Sequence, residues 1–227
     1  MRAVKGWGES QFPCIPMRVS VVVPAYNEAG RIGAVLDPIV ASDSVDEIIV
    51  VDDGSEDETA MEAKGFPVQV VSLPENRGKA AALAVGVSEA KNDTLMFLDA
   101  DLVGLTREHV ERMIRTYDAE GLDMVVGVFA DGRRNTDFAQ KINPYASGQR
   151  ILSRKLWERA QDNVEEMNFG IEMALSRLAS KEGWSKEYVK LEGVTHILKE
   201  EKRGLVKGIL DRLKMYGDMV KWLFKKL

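Results

Sequence analysis

Two aspartates that directly follow an apolar run are well suited to hold a metal ion. Asp99 and Asp101 flank Ala100 and come after the run LMFL at 95–98. If that run is a β-strand, the turn after it can direct both carboxylates to one point. Carboxylate oxygens suit Mg²⁺ and Mn²⁺, and these ions retain coordination positions for phosphate oxygens. The pair therefore predicts a metal–diphosphate site, although an exposed acidic turn explains two aspartates equally well.

A second acidic pair, Asp52 and Asp53, also ends an apolar run, and Gly54 after it permits a sharp turn. One of these carboxylates could accept hydrogen bonds from a nucleobase or a ribose. Carboxylates that satisfy the backbone N–H groups at the start of a helix are an equally simple interpretation. The pair by itself therefore leaves nucleotide binding and a structural role open.

The segment NRGKAAAL at 76–83 combines a glycine, a lysine and an alanine-rich run that predicts a helix. Because the N-terminus of a helix favours anions, Lys79 at this point suggests phosphate binding, with an exposed lysine beside a turn as the alternative. The chain lacks the GxxxxGK[ST] loop of nucleoside triphosphatases and has no GxGxxG segment after its first apolar run. These absences argue against a P-loop nucleoside triphosphatase and against a nicotinamide-dinucleotide-binding protein.

The polar segments follow successive short apolar runs that helix-compatible stretches separate. These runs lie at 19–23, 48–51, 68–71, 95–98 and 124–128. Nearly continuous, β-branched runs that alternate with helices predict an α/β fold with a mainly parallel central sheet and helices on both faces. Ligands of such sheets bind beyond the carboxyl ends of the strands, where the polar segments lie. Further along the chain we expect helices at 148–160 and 168–181 and a strand at 187–192.

Composition and charge limit the class of protein. The 227 residues are 45% hydrophobic and 30% charged, which is typical of a soluble globular protein. The net charge of −5 gives no indication of nucleic-acid binding. Cys14 is the only cysteine, so an intrachain disulfide is excluded and a reducing compartment, the cytoplasm, is expected. No run approaches the roughly 18 apolar residues of a membrane span.

The regular pattern begins at Met17, which divides the chain into three parts. We expect 1–16 to be a disordered or artefactual extension, 17–203 to form one domain, and 204–227 to form an amphipathic basic helix. Apolar residues of that last segment recur at spacings of three and four. Three partners are open for residues 205–227 of this helix. They would pack on the domain, pack on a second subunit in a homodimer, or lie peripherally on the inner face of a membrane.

Four segments together resemble family 2 glycosyltransferases of the GT-A fold. They are VVVPAYNE at 21–28, VVDDGSEDET at 50–59, NRGKAAAL at 76–83 and FLDADL at 97–102. The resemblance is strongest to the branch that holds polyprenyl-phosphate sugar transferases and glucosyl-3-phosphoglycerate synthase-like enzymes. It implies a nucleotide-sugar donor of the UDP-glucose or GDP-mannose class, Mg²⁺ or Mn²⁺ as cofactor, and a lipid-phosphate or small phosphorylated or carboxylate acceptor. Because the QxxRW run of processive synthases is missing, a non-processive enzyme is expected.

The resemblance also implies roles for individual residues on the donor side. Those expected to bind the nucleotide sugar are Pro24, Tyr26, Glu28, Asp53, Lys79 and Asp99. Asp99 and Asp101 match the DxD element of the family, with Asp101 the direct metal ligand and a catalytic residue that stabilises the leaving diphosphate. His196 would be a further metal ligand, since relatives place a histidine in such a C-terminal segment. A purely structural histidine is the alternative.

On the acceptor side, SGQRILSRKLW at 147–157 resembles the segment in which an arginine binds a phosphate or carboxylate, a role that Arg150 would take. Lys199 and Arg203 would add phosphate contacts. Glu172 in NFGIEMAL would orient the acceptor or act as the catalytic base, although a surface glutamate paired with an arginine fits the same position. An inverting enzyme would use such a base and a retaining one would not, and the sequence leaves both open.

Two other classes share part of this pattern. A sugar-phosphate nucleotidyltransferase would also bind a nucleotide on an α/β sheet, but it usually begins with a GxGxR loop that PAYNE does not match. A non-catalytic nucleotide-sugar-binding protein would bind donor without turnover, against which the intact DADL argues. The second histidine, His109, lies in a predicted helix and is expected to be exposed to solvent.

Overall fold

A computed structural model of the chain describes residues 17–129, 147–161 and 170–196. The predicted extension at 1–16, the predicted amphipathic helix at 204–227, Lys199 and Arg203 therefore lie outside the described residues. In chain order the described elements are β1 (Val19–Ala25), α1 (Ile32–Val40), β2 (Glu47–Asp52), α2 (Thr59–Ala63), β3 (Gln69–Ser72), α3 (Lys79–Glu89), β4 (Thr94–Phe97), β5 (Leu102–Val103), α4 (Arg107–Glu120), β6 (Met124–Phe129), β7 (Arg150–Ser153), α5 (Arg154–Gln161), α6 (Ile171–Glu182), β8 (Lys186–Leu191) and β9 (Thr195–His196). None of the described helices is long and apolar enough to cross a membrane.

Seven strands form the central sheet in the order β3-β2-β1-β4-β7-β6-β8, and β5 pairs with β9 in a separate two-stranded ribbon. Every neighbouring pair in the large sheet is parallel except the two pairs that involve β7. The prediction of an α/β fold with a mainly parallel sheet is therefore confirmed. Because β7 runs in the opposite direction, its first residues lie at the same edge of the sheet as the carboxyl ends of its neighbours.

Two apolar layers enclose the sheet. On one face, Val21 and Val23 of β1 pack in a cluster with residues of α1 and α4. On the other, Val22 packs in a cluster with residues of α3, α5 and α6. Successive side chains of a strand point to opposite faces, so a run of valines fills both layers at once. This explains why the strands read as continuous apolar runs rather than alternating ones.

The segment at 150–153 corrects the sequence analysis, which predicted a helix at 148–160. It forms β7, with Ile151 opposite Met96 of β4 and opposite Val125 of β6. Ile151 and Leu152 are fully buried between those strands. Pairing on both sides outweighs the local helical pattern. The helix begins only at Arg154, after Ser153, whose hydroxyl accepts a hydrogen bond from the backbone N–H of Leu156 at 3.3 Å.

The expectation that His109 is exposed to solvent is wrong, since its side chain is buried at the start of α4. The ring Nδ1 of His109 accepts a hydrogen bond from the backbone N–H of Thr106 at 3.2 Å. The backbone N–H of His109 donates to the Thr106 hydroxyl at 3.3 Å. The two residues thus form a reciprocal cap on the helix. Burial, reinforced by the nearby charge of Arg112, lowers the pKa of His109 below its ordinary 6.5.

Because the pKa of His109 is lowered in the folded protein, we expect the protein to lose stability in mild acid. Below about pH 6.5 the unfolded chain takes up a proton on His109 before the folded protein does, so the free energy of unfolding falls as the pH drops. One group contributes at most about 1.4 kcal/mol for each pH unit. His109→Gln keeps a capping side chain and removes this proton. Urea unfolding at pH 7.5 and 5.5 should therefore show a smaller pH-dependent loss in H109Q than in wild type, and equal losses would contradict the assignment.

Candidate functional site

Four elements bring polar side chains together at the carboxyl edge of the sheet. Asp99 follows β4, and Gln149 immediately precedes β7. Phe97 and Arg150 are paired residues of these neighbouring strands, so the residues beyond them are close in space. Lys79 is the first residue of α3, and Glu172 lies in the first turn of α6. We refer to Lys79, Asp99, Gln149 and Glu172 as the Asp99 cluster.

The Asp99 cluster is joined by ion pairs and hydrogen bonds. Lys79 Nζ forms an ion pair with Asp99 Oδ1 and lies 2.5 Å from Glu172 Oε1. Gln149 Nε2 donates to Asp99 Oδ2 at 2.8 Å. Both oxygens of Asp99 therefore have donors from within the protein. Glu172 faces this cluster and pairs with a lysine, rather than with an arginine on the outer surface.

One ammonium lies between two carboxylates in the cluster, and this determines its electrostatics. Burial alone would lower the pKa of Lys79, but the charges of Asp99 and Glu172 outweigh it and raise the pKa above its ordinary value. Lys79 is consequently a permanent cation. With both carboxylates ionised the three groups carry a net charge of −1, and the nearby Asp101 adds another. The Arg150 guanidinium behind them offsets one negative charge, so the five groups together carry −1.

Arg150 lies behind the cluster with only 1% of its surface exposed. Its Nε donates to the carbonyl oxygen of Ser147 at 2.8 Å, and its Nη2 donates to the hydroxyl of Ser176 at 2.9 Å. Burial lowers the pKa of Arg150 to about 10, which still leaves the guanidinium charged at neutral pH. In this structure Arg150 connects the start of β7 to α6, and its role in binding an acceptor phosphate stays a prediction.

Asp53 supports the neighbouring loop. Its two carboxylate oxygens accept hydrogen bonds from the backbone N–H groups of Arg77 and Gly78, each at 2.8 Å. Gly54 adopts a positive φ of 71°, and a Cβ there would lie 2.5 Å from the carbonyl carbon of Glu75. Asp53 thereby fixes the loop that leads into α3 and places Lys79. Sequence reasoning anticipated backbone donors for this pair but not that they belong to the next connection. Nucleotide binding by Asp53 stays a prediction.

The loop after β1 is tied to the loop after β2. The backbone N–H of Glu28 donates to the Thr59 hydroxyl at 2.7 Å, and the Glu28 carboxylate pairs with Arg31 at 2.9 Å. Glu28 is buried, whereas Pro24 and Tyr26 are half-buried at the end of β1. The three residues predicted to line a nucleotide therefore lie on the same edge as the Asp99 cluster.

The ribbon of β5 and β9 brings the predicted metal-binding segments together. Its register pairs Leu102 with His196, so the backbone of His196 lies beside the residue that directly follows Asp101. The two segments are more than ninety residues apart in the chain. This proximity supports the prediction that His196 contributes to the same site as Asp101.

The residues present suit a metal ion that arrives with a diphosphate. Within the described ranges no group of three or more His, Cys, Asp or Glu side chains could hold an ion by itself. Asp99 and Asp101 offer hard oxygen atoms, and Mg²⁺ is commonly bound by one or two carboxylates together with substrate phosphates. The donor set therefore fits Mg²⁺ or Mn²⁺ whose coordination is completed by phosphate oxygens.

Gln149 and Gly148 are members of this site that sequence reasoning missed. Within the segment at 147–157, the sequence analysis assigned a role only to Arg150. A Cβ added to Gly148 would lie 2.5 Å from Asp99 Oδ2 and 2.6 Å from Lys79 Nζ, so only a glycine fits there. No local sequence pattern identifies either residue, because Asp99 and Lys79 lie 49 or more positions earlier in the chain.

A mainly parallel sheet with one inserted antiparallel strand, and an aspartate pair at its carboxyl edge, is typical of the GT-A class of fold. The model of the family described as "Glycosyl transferase family 2" matches residues 20–184. The chain belongs to glycosyl transferase family 2. The resemblance found in the sequence and the predicted GT-A fold are thus both confirmed.

Several known proteins resemble the chain. 4,4'-Diaponeurosporenoate glycosyltransferase of Staphylococcus aureus (strain USA300) is 34% identical over 108 residues, which cover 45% of this chain and 29% of that protein. The chain thus spans under a third of the length of the curated relatives it matches. Glucosyl-3-phosphoglycerate synthase from Mycobacterium tuberculosis in complex with phosphoglyceric acid is 25% identical, with a TM-score of 0.64 and coverage of 80% and 72% of the two chains. The structure of its complex with Mn²⁺, UDP-glucose and phosphoglyceric acid is 25% identical in sequence, with a TM-score of 0.63. That match covers 88% of this chain and 80% of the other.

Proposed function

We propose that the chain is a metal-dependent, non-processive glycosyltransferase that moves a hexose from a nucleoside-diphosphate sugar of the UDP-glucose or GDP-mannose class. The observation that carries this proposal is the Asp99 cluster, in which one lysine pairs with a carboxylate after β4 and with a carboxylate on α6. The cluster joins the aspartate pair, expected to face the donor diphosphate, to Glu172, expected to face the acceptor. Family membership supports the same reaction class.

The reaction breaks the bond between the anomeric carbon and the diphosphate oxygen and forms a bond from that carbon to an acceptor oxygen. Negative charge develops on the leaving nucleoside diphosphate, and a bound Mg²⁺ or Mn²⁺ would supply Lewis-acid stabilisation of that charge. Asp99 and Asp101 would hold the ion, and His196 would join them. Lys79, a permanent cation at the N-terminus of α3, would contact the diphosphate and add to this stabilisation.

Glu172 is placed to act on the acceptor side. If the acceptor is a hydroxyl group, the proton that it loses needs a base in an inverting reaction, and Glu172 is the carboxylate of the Asp99 cluster that does not belong to the aspartate pair. Its pairing with Lys79 would also let it orient an acceptor without accepting the proton. A phosphate acceptor is already ionised and would need no such base.

For the acceptor we propose a small phosphorylated or carboxylate compound or a lipid phosphate. The names of the two relatives include a carboxylic acid, diaponeurosporenoate in one and phosphoglycerate in the other. Buried Arg150, close behind the cluster, supports an anionic acceptor through its long-range charge, with Lys199 and Arg203 as further candidate contacts. Cytoplasmic location, peripheral membrane contact through 205–227 and a homodimer stay predictions.

The test is a panel of UDP-glucose and GDP-mannose with Mn²⁺ or Mg²⁺ and phosphoglycerate, glycerate or polyprenyl phosphate as acceptor. Transfer releases a nucleoside diphosphate and a glycosylated acceptor, whereas a nucleotidyltransferase run in reverse with pyrophosphate would release a sugar phosphate. Chelation of the metal should abolish the transfer. If calorimetry detects no binding of any nucleotide sugar with either metal, the proposal is wrong, and binding without turnover on any acceptor would indicate a non-catalytic binding protein.

A further inference from the structure

Gln149 makes a hydrogen bond to the site that no motif indicates. Gln149 as a whole residue is 1% exposed, and its Nε2 donates to Asp99 Oδ2 at 2.8 Å. The other oxygen of Asp99 pairs with Lys79, whose side chain is 35% exposed. Asp99 is therefore held on one side by a buried, neutral amide and on the other by a longer, more accessible cation.

The orientation of the Gln149 amide is determined by its surroundings. The Ser147 hydroxyl lies 2.8 Å from Gln149 Oε1 and 2.5 Å from the carbonyl oxygen of Gly127. An ionised carboxylate only accepts hydrogen bonds, so the NH₂ group of the amide faces Asp99 and Oε1 lies on the side of Ser147. The backbone carbonyl of Gln149 in turn accepts from the N–H of Gly127 at 2.8 Å. Main chain and side chain of Gln149 are thus both fixed against β6.

The two partners of Asp99 differ in how they respond to a cation. A divalent ion near Asp99 repels the Lys79 ammonium and competes with it for Oδ1. The amide of Gln149 carries no net charge, so its hydrogen bond to Oδ2 can remain when the ion binds. Groups that hydrogen-bond to a metal-binding carboxylate orient it and influence the affinity of the site for the ion.

We infer that Gln149 is a positioning residue that holds Asp99 Oδ2 and leaves Oδ1 directed toward a metal–nucleotide complex. The inference rests on the proposed function, because it assumes that Asp99 faces such a complex. It adds the residue that precedes β7 to the residues expected at the donor site. Loss of this residue should weaken metal binding while the fold remains intact.

The test compares Mn²⁺ binding in wild type and Gln149→Met, a substitution of similar shape that removes the hydrogen bond. Free Mn²⁺ is measured by electron paramagnetic resonance in the presence of UDP. Removing a hydrogen-bond partner of a metal ligand typically weakens metal binding by about 10- to 100-fold, so Q149M should bind Mn²⁺ at least about ten-fold more weakly. Gln149→Leu also removes the hydrogen bond without adding a charge and should weaken binding by a similar factor, which gives a second variant if Q149M does not fold.

Gln69→Met is the matched control, because Gln69 Nε2 makes an equivalent 2.8 Å hydrogen bond to Glu89 on an exposed surface. It should leave Mn²⁺ affinity within about two-fold of wild type. Urea midpoints without ligand should be similar for wild type, Q69M and Q149M. Equal Mn²⁺ affinity in wild type and folded Q149 variants would overturn the role of Gln149 alone. Failure of wild type to bind Mn²⁺ with either UDP or GDP would overturn the proposed function and this inference with it.

Discussion

Asp101→Asn should lower the rate of sugar transfer by about 1,000-fold at saturating metal and donor. The substitution keeps the shape of the side chain but replaces an ionised oxygen ligand with a neutral amide. Charge on the departing diphosphate would then be poorly stabilised, and loss of one such interaction typically costs about 100- to 1,000-fold in rate. The rate of nucleoside diphosphate release from the best donor and acceptor measures the effect directly.

Asp93→Asn provides the control for this substitution. Asp93 precedes β4 at the opposite end of the strand, and its side chain is 98% exposed. The same chemical change there should leave the rate within about two-fold of wild type, because surface substitutions away from a site have small effects. If D101N retained more than a tenth of wild-type activity, Asp101 would not be the principal metal ligand.

Gly148→Ala should reduce transfer by about 100-fold even though it adds a single methyl group. The new Cβ would lie 2.5 Å from Asp99 Oδ2 and 2.6 Å from Lys79 Nζ, which is too close for either atom to stay in place. Lys79 can move at its flexible end, but Asp99 is short and held by Gln149. A displacement of about 1 Å in a catalytic group can cost about 100-fold in rate. Steady-state kinetics with varied donor concentration would measure it.

Gly65→Ala is the corresponding control. Gly65 lies between α2 and β3, where a Cβ would be 3.1 Å from the carbonyl oxygen of Glu62 and away from the carboxyl edge of the sheet. We expect G65A to retain activity within about two-fold. Gly148 is buried, so G148A should also lose stability, and urea unfolding shows whether the variant is folded under the assay conditions. Full activity in a folded G148A variant would contradict the close packing around Asp99.

The parts of the fold that the sequence predicted are those with a local pattern. The runs at 19–23 and 48–51 are continuous because both faces of their strands are covered, and they became β1 and β2 with a few residues added at their ends. Asp99 and Asp101 could be recognised because their position after β4 is visible within six residues. Both features, the burial of a strand on its two faces and an aspartate pair directly after a strand, are visible within a few consecutive residues.

The rest depends on contacts between distant residues. β7 is only four residues long, and its place between β4 and β6 follows from pairing across about 55 and 25 positions, which leaves no period in the sequence. The same holds for Lys79 and Glu172, whose ion pair joins helices that are far apart in the chain. His109 was misread because a capping imidazole looks like any polar residue on a helix. Sequence reasoning thus found Lys79, Asp99 and Glu172 as site residues but missed Gln149 and Gly148, which contact Asp99.

The position of β7 also links the site to the cooperativity of the domain. Among the described strands, β7 alone connects the group β3-β2-β1-β4 to the group β6-β8. It is also the strand that Gln149 immediately precedes. Separation of β7 from β4 therefore also breaks the hydrogen bond from Gln149 to Asp99. Conversely, a ligand that binds only the assembled cluster would suppress this separation in proportion to its affinity, so donor binding would stabilise the whole sheet through one short strand.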